Sequence, residues 1–279
     1  MTPTLVRHHL SHAGPAARVD LWARARDWSE IQERMLVPLY EAVYERLEVG
    51  PGTRLLGLGC GSGLALVMAA ARGAAITGVE PSSPERFALA RQRLLPDTWD
   101  ARAREATRLV RGTPMDAADA ETPAYTLVTA FEPIGCRTGD AEGLGELLQG
   151  AKPLAERGAA VVLAGWGPPE RCTTASVLHA TTGPAEPVRA SCRDDLERVV
   201  QEAGLRPDGS GRVACPFGYA DLDSAVRGLL STGLCDPALA VSDPAQVEKE
   251  LTEALHPYQR PDGTVWMPNV FRYLIARVP

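Results

Sequence analysis

The stretch RLLGLGCGSG, residues 54–63, decides the fold of this chain. It begins as an apolar run that predicts a short buried strand, and it ends with glycines at alternate positions, Gly59, Gly61 and Gly63. Glycine has no Cβ atom, so the backbone can turn tightly there and approach a bound nucleoside closely. The alanine-rich segment 64–72 that follows predicts a helix. A strand, a glycine turn and a helix in this order predict a nucleotide-binding loop.

A second strand and a carboxylate follow this loop. The segment AITGV, residues 75–79, predicts a strand, and it ends at Glu80, which lies 21 residues after Gly59. At that place a carboxylate can accept hydrogen bonds from both hydroxyls of a ribose. A glycine turn alone can be purely structural, and a glutamate alone can be a surface residue. Their combination predicts that Glu80 anchors a ribose.

Two other nucleotide-binding patterns do not match these residues. The dinucleotide pattern GxGxxG fails, because its third glycine position holds Ser62 when counted from Gly57 and Leu64 when counted from Gly59. The phosphate-binding P-loop also fails, because neither lysine of the chain follows a glycine. The pattern therefore favours a ligand with a ribose but no pyrophosphate. A nucleotide-sugar or NAD enzyme stays open as a less favoured class.

Strands and helices alternate through the rest of the chain. Further strands are predicted at 125–131, 159–164, 212–216 and 271–278, and helices at 20–47, 84–95, 141–154, 193–203 and twice between 222 and 255. The basic segment 102–110 has its arginines at helical spacing. This alternation predicts an α/β fold with a doubly wound, mostly parallel sheet.

The order of these elements also predicts the organisation of the chain. We expect a single domain over residues 1–279, with a core for cofactor binding at 50–170. An N-terminal helical lid at 18–47 and a helical insertion at 218–262, which forms a substrate cap, complete it.

Composition excludes several classes of protein. The net charge is −6, which disfavours a nucleic-acid partner. The six cysteines form no CxxC pair and the histidines form no ligand cluster, so we expect no metal site. No stretch reaches the roughly 20 apolar residues of a membrane span and no apolar leader is seen, so we expect a cytoplasmic protein without a membrane partner. The oligomeric state stays open, with a homodimer as one option.

Four motifs of the chain resemble the class I S-adenosylmethionine-dependent methyltransferases, and in particular the type 11 group common in actinobacteria. They are GCGSG at 59–63, VEPS at 79–82, YTLVTAF at 125–131 and the tail from PDG at 261–263 to NVFRY at 269–273. The resemblance implies a Rossmann-like sheet of seven strands whose last strand is antiparallel, with a helical cap. It also implies that the cofactor is S-adenosylmethionine and that its product is S-adenosylhomocysteine.

The resemblance implies a set of cofactor-binding residues, with adenine near residues 113–115 and the methionine portion near Phe131. The set is Gly57, Leu58, Gly59, Cys60, Gly61, Gly63, Glu80, Pro81, Ser82, Thr113, Pro114, Met115 and Phe131. The family usually has an acidic residue where this chain has Gly57 and Thr126. The acid expected in the adenine region is also replaced, by Thr113, with Asp116 nearby. These departures motivate an alternative in which the fold is kept but methyl transfer is lost, leaving a cyclase, binding or regulatory role.

The first hypothesis is O-, N- or C-methylation of a small molecule, in secondary metabolism. Such transfer depends mainly on alignment and desolvation, and a base helps with a phenol, alcohol or amine. The candidate bases are Glu132 and His256, followed by His179 and Tyr258. Substrate walls are expected from Trp28, Gln32, Tyr219 and Trp266. Each has a plainer interpretation, since aromatic residues at helical spacing are often core and single histidines are often packed or exposed.

Overall fold

The computed structural model describes residues 20–96, 105–119, 123–137, 139–182 and 195–279, and the side chains of 179–182 lie outside this description. The strands are β1 (Arg54–Leu58), β2 (Ala75–Val79), β3 (Thr107–Val110), β4 (Tyr125–Ile134), β5 (Ala155–Trp166), β6 (Arg206–Ala214), β7 (Phe217–Tyr219), β8 (Val265–Met267) and β9 (Val270–Arg277). The α-helices are α1 (Leu21–Asp27), α2 (Val37–Arg46), α3 (Leu64–Ala71), α4 (Pro84–Leu94), α5 (Asp140–Ala151), α6 (Thr173–Thr182), α7 (Asp195–Glu202), α8 (Leu222–Ser231), α9 (Asp236–Val241) and α10 (Pro244–Leu255).

Seven strands form one sheet in the order β3-β2-β1-β4-β5-β9-β6, and β7 and β8 form a separate hairpin. Strands β1 to β5 pair in parallel, whereas β9 is antiparallel to both β5 and β6. The predicted seven-stranded, mostly parallel sheet with an antiparallel last strand is confirmed. The strand order reverses between β1 and β4, and in such sheets ligands bind outside the carboxyl ends of the strands at this point.

Helices cover both faces of the sheet. In β1 the side chains alternate, so Leu55 packs with the α2 and α3 side while Leu56 packs with the α5 and α7 side. Both leucines are fully buried. Because β1 is buried on both faces from Leu55 to Leu58, its sequence is apolar after Arg54, which identifies it as a buried strand.

The edge strand β3 was not predicted. Residues 107–110 lie within the basic segment whose arginines have helical spacing, yet they pair in parallel with β2. Arg108 donates to the carbonyl oxygen of Ala117 at 3.0 Å. The helical interpretation of this segment is wrong at 107–110, because pairing with β2 outweighs a weak local preference.

The N-terminal segment and the helices α8 to α10 lie together beside the sheet. Helix α8 packs against α1, and α10 packs against α6 and α8. Of the helices in the described ranges, none is long and apolar enough to cross a membrane.

Replacement of Gly63 by alanine tests the loop geometry. Gly63 has a φ of +86°, and a Cβ atom there would lie 2.8 Å from Cδ1 of Leu94. We expect Gly63→Ala to lower the free energy of unfolding by about 2 kcal/mol, from the left-handed backbone and the clash together. Gly52→Ala is the control, because its Cβ would meet no atom within 4 Å. Equal denaturation midpoints for the two variants in urea would contradict the prediction.

Candidate functional site

The glycine loop joins β1 to α3 at the carboxyl edge of the sheet. Gly59, Gly61 and Gly63 all have positive φ angles, of 59°, 58° and 86°. This conformation is unfavourable for residues with a Cβ atom, which explains why glycine stands at alternate positions. The backbone N–H of Cys60 donates to the carbonyl oxygen of Val79 at 3.0 Å, so the loop is tied to the end of β2.

Glu80 lies beside this loop, and its carboxylate binds backbone. Its Oε2 accepts from the N–H of Gly61 at 2.9 Å, and its Oε1 accepts from the N–H groups of Ser82 at 2.9 Å and Ser83 at 3.2 Å. A carboxylate has about four lone-pair positions, so three of them are used by the backbone. Glu80 is 4% exposed, and burial raises the pKa of its carboxyl group, although the amides of Ser82 and Gly61 act in the opposite direction.

An irregular helical segment covers the loop from the other side. Residues 28–32 form a π-helical turn and residues 33–36 a 3₁₀ turn, between α1 and α2. Pro38, in the first turn of α2, has no N–H to continue a regular helix. The change of helical pitch directs Trp28, Gln32 and Glu33 inward, and all three are buried. The predicted helix over 20–47 is therefore present but distorted ahead of its proline.

Glu33 connects this segment to the loop. Its carboxylate accepts a short hydrogen bond from Oγ of Ser62, and the N–H of Leu64 lies 3.3 Å from it. Arg93 of α4 forms an ion pair with it at 2.8 Å and also donates to Oγ of Ser29 at 2.7 Å. Glu33 is 3% exposed, so this buried carboxylate has both a cation and hydrogen-bond donors as partners.

Arg86 and Trp28 form a second contact above the loop. The guanidinium of Arg86 lies 4.1 Å from the centre of the Trp28 ring and donates to the carbonyl oxygen of Ser231 at 2.8 Å. Trp28 Nε1 is buried and has no hydrogen-bond partner among the described residues. It lies 3.3 Å from the position that a Cβ atom on Gly61 would take. A buried N–H donor without an acceptor therefore faces the glycine loop.

A cavity of about 770 Å³ lies over the carboxyl ends of β1 and β4. It brings together many of the residues selected from the sequence: Trp28, Gln32, Leu58, Gly59, Pro81, Ser82, Thr113, Pro114, Met115 and Glu132. A smaller cavity of about 30 Å³ adjoins it and is lined by Gly57, Cys60, Gly61 and Phe131, again with Trp28 and Glu132. The smaller space has about the volume of one water molecule in the liquid.

Five of the selected residues, Glu80 among them, line neither cavity. Glu80 is 4% exposed, and its carboxylate accepts from backbone N–H groups. Gly63 faces Leu94 and Ala90 of α4 instead. Tyr219 is 3% exposed and its hydroxyl donates to Oε1 of Gln32 at 2.9 Å, so it supports the cavity wall from behind. The other two are Trp266 and His256.

Trp266 and His256 lie at the surface, which corrects their predicted positions in the site. In β8 the neighbours Val265 and Met267 point inward, so Trp266 points outward and packs under Arg260 at 4.5 Å. His256 is exposed in the turn after α10, one residue past the last buried position of that helix. His179 lies outside the described side chains, and Tyr258 is partly buried in the same turn as His256.

The departures from the family motifs have structural explanations. A Cβ atom on Gly57 would lie 2.9 Å from Cδ2 of Leu66, so this leucine occupies the space of an acidic side chain. Thr126 lies at the opposite end of β4, where its Oγ1 accepts from the N–H of Arg54 at 2.9 Å. Asp116 accepts from both the N–H and the hydroxyl of Thr113, and these bonds lower the pKa of its carboxyl group.

The sequence analysis missed several residues of the site. Glu33, Arg86 and Arg93 were not selected, and neither were Gly143 and Gly150 of α5, which line the larger cavity. No local signal marks Glu33, because its partners Ser62 and Arg93 lie on other elements of the fold. Among the described residues, no group of three or more histidine, cysteine, aspartate or glutamate side chains is arranged to hold a metal ion.

No protein-family model matches the chain, and no curated protein matches its sequence. Solved structures do match. YjhP from E. coli is 20% identical with a TM-score of 0.53, over 92% of this chain and 99% of that one. A geranyl diphosphate C-methyltransferase from Streptomyces coelicolor A3(2), in complex with Mg²⁺, geranyl diphosphate and S-adenosylhomocysteine, is 17% identical with a TM-score of 0.51, over 92% and 84%. The chain has the Rossmann-like methyltransferase fold.

This methyltransferase fold is not confined to methyltransferases. The [4+2]-cyclase SpnF is 17% identical to the chain, with a TM-score of 0.51, over 86% of this chain and 80% of that one. At these identities the similarity establishes the fold, while the chemistry has to be argued from the residues of the site.

Removal of the Glu33 carboxylate tests the contact between the irregular helix and the loop. We expect Glu33→Ala to lower the free energy of unfolding by about 2–3 kcal/mol, because Arg93 loses its ion-pair partner and Ser62 its acceptor. Glu30→Ala, on the same segment but at an exposed position, is the matched control and should change it by less than about 0.5 kcal/mol. Chemical denaturation followed by circular dichroism measures both, and equal effects would contradict this prediction.

Proposed function

We propose that this chain is an S-adenosylmethionine-dependent methyltransferase of the type 11 group, acting on a small-molecule acceptor. The observation that carries the proposal is the larger cavity, which runs over the glycine loop from residues 113–115 past Gly59 to Glu132. It lies at the reversal of strand order, in a fold shared with methyltransferases, and its volume is in the range of small-molecule sites.

The residues present fit this cofactor. Residues 113–115 and Pro81 line the larger cavity and would hold the adenosine. Glu80 lies outside the lining of both cavities, and it has one acceptor position left for a ribose hydroxyl. The unpartnered Nε1 of Trp28 is a donor for the carboxylate of the amino-acid end. The space beside Gly61 is only about 30 Å³, so we expect Trp28 to move outward when that end enters.

Glu132 is the residue that we expect to accept a proton from the methyl acceptor. When bound, S-adenosylmethionine supplies a methyl group on a positively charged sulfur, which keeps the electrons of the broken C–S bond. Glu132 is exposed to both cavities at the carboxyl end of β4, and its Oε2 lies 3.8 Å from a Cβ position on Gly59. It would accept the proton that a hydroxyl or amine acceptor releases. The apolar walls would exclude water and keep the reacting groups aligned.

We further propose that residues 18–47 act as a lid and 218–262 as a substrate cap over a core at 50–170. Three contacts support this division. Arg24 of α1 pairs with Asp236 at 2.9 Å, while Arg86 and Arg137 donate to the carbonyl oxygens of Ser231 and Thr232. One short turn of the cap is thus bound by arginines of the lid and of the core.

The second candidate is a methyltransferase-fold protein without methyl transfer, such as a cyclase. The observation that favours it is Leu66, which fills the space of the acid usual at Gly57 and so removes one cofactor contact of the family. Binding of S-adenosylmethionine without release of S-adenosylhomocysteine, across a broad acceptor panel, would favour this second function over the first.

Calorimetry with S-adenosylmethionine tests the first function, with two glycine variants of α5. Gly143 lines the larger cavity, whereas Gly145 does not and lies about 200° away around the helix. A leucine at either position raises helix propensity equally. We expect wild type and Gly145→Leu to bind alike and Gly143→Leu to bind at least about tenfold more weakly, which is about 1.4 kcal/mol. No binding by the wild type, or equal binding by both variants, would contradict the proposed site.

The pH dependence of binding tests Glu80. Because burial raises its pKa, the carboxylate becomes protonated at a higher pH than an ordinary glutamate and then loses an acceptor position. Affinity for S-adenosylmethionine should therefore be full above the raised pKa and fall as the pH drops through it. In Glu80→Gln, affinity should be weaker and independent of pH over the same mildly acidic range. A wild-type profile as flat as that of the variant would exclude a role for Glu80 in the binding.

A further inference from the structure

One wall of the larger cavity is aromatic. Trp166 and Phe271 are paired across the β5–β9 ladder, with their ring centroids 4.7 Å apart. Phe217 of β7 contacts both rings, at 6.2 and 6.0 Å. All three border the cavity, with Trp166 8% exposed and Phe217 and Phe271 only 1% and 0%, so the two phenylalanines support Trp166 from behind. Because two of the rings stand on the sheet and the third on the hairpin, the wall is rigid, and it suits a flat apolar body.

Aliphatic side chains continue this apolar surface. Leu36 of the lid, Ile134 at the end of β4 and Leu234 of the cap also line the cavity. They come from three different parts of the chain, so the chamber encloses the ligand between lid, core and cap. Burial of an apolar body in such a chamber contributes about 25 cal/mol for each Å² removed from water.

The charged groups of the lining are mostly acidic. Glu132 and Glu146 are exposed and line the cavity, as does Asp140, whose carboxylate already accepts from the backbone N–H groups of residues 135–137. Among the described lining residues, Arg137 is the basic one, and its guanidinium donates to a cap carbonyl oxygen at 2.9 Å. An anionic group in this cavity would face three carboxylates, the guanidinium of Arg137 and, from the adjoining smaller cavity, that of Arg86, so acidic groups outnumber basic ones.

We propose that the acceptor is an uncharged molecule with a ring-containing apolar body and a hydroxyl or aromatic amino group that faces Glu132, and that anionic acceptors are rejected. The inference rests on the proposed function, because it names the acceptor of that reaction. A carboxylate accepts hydrogen bonds and does not donate them, so Glu132 selects an O–H or N–H group. It repels a carboxylate or a phosphate at the same position.

Three ligands with one ring system test the selectivity. They are 2-naphthol, 2-naphthoate, which is anionic, and 2-methoxynaphthalene, which has no donor. Equilibrium dialysis against the full chain with S-adenosylhomocysteine measures their binding without any turnover. We expect 2-naphthol to bind at least about tenfold more tightly than 2-naphthoate and several-fold more tightly than the methyl ether. Equal or tighter binding of 2-naphthoate would overturn the inference.

Two matched variants assign the selectivity to Glu132. Glu132→Gln removes the charge but keeps an acceptor, so 2-naphthoate should bind about tenfold more tightly than to the wild type, while 2-naphthol changes little. The control is Glu142→Gln, which also removes one negative charge. Glu142 lies on α5 outside the cavity lining, next to Arg198, so this variant should leave both affinities unchanged. Because Glu132 is exposed, its variant is expected to fold. An unchanged preference in Glu132→Gln would overturn the inference.

Binding of S-adenosylmethionine, measured separately, distinguishes the two proposals. If it binds while 2-naphthoate is preferred, only the acceptor class is wrong. If it does not bind while the 2-naphthol preference and its dependence on Glu132 persist, the proposed function is wrong and the selectivity of the chamber stands.

Discussion

The carboxylate of Glu80 holds two loops of the backbone together at the carboxyl edge of the sheet. It accepts from Gly61 in the loop after β1 and from Ser82 and Ser83 in the loop after β2. Strands β1 and β2 are parallel neighbours, with Leu58 opposite Val79, so their ends are already adjacent. A buried carboxylate without these donors would be strongly destabilising. The shape of the glycine loop therefore depends on this one side chain and its amide partners.

A second buried carboxylate, Glu33, reaches the same loop from the N-terminal segment. In proteins that this chain resembles, an acid at the position of Gly57 normally supports the loop, and here Leu66 takes its space. Glu33 approaches from a different element and binds Ser62 and the start of α3. The loop of this chain is thus supported by acids from the end of β2 and from the irregular helix.

The cavity is closed by elements that are distant in sequence. Arg24, Arg86 and Arg137 all bind the turn that follows α8. The end of a helix offers carbonyl oxygens without intrahelical partners and a partial negative charge, so it is a suitable place for cations to converge. Arg137 lines the larger cavity and Arg86 the smaller one, so two of the three arginines that bind the cap also border the proposed site.

The local pattern of the sequence was sufficient for the central strands, the glycine turn and Glu80. Apolar runs identify strands that are buried on both faces, and glycine at alternate positions identifies a backbone that must adopt positive φ angles; both signals act within a few residues. The resemblance to methyltransferases placed Thr113, Pro114 and Met115 near the adenine, and these residues line the same cavity as Gly59.

Only the tertiary structure decided the rest. The strand at 107–110 forms by pairing with the edge of β2, within a segment whose arginines have helical spacing. Trp266 turns outward because Val265 and Met267 take the inward positions, and His256 falls just beyond the buried face of α10. Glu33 meets Arg93, and Arg86 meets Trp28, across about 60 residues of chain. Such pairs depend on how helices pack against each other, and neither spacing nor composition encodes that distance.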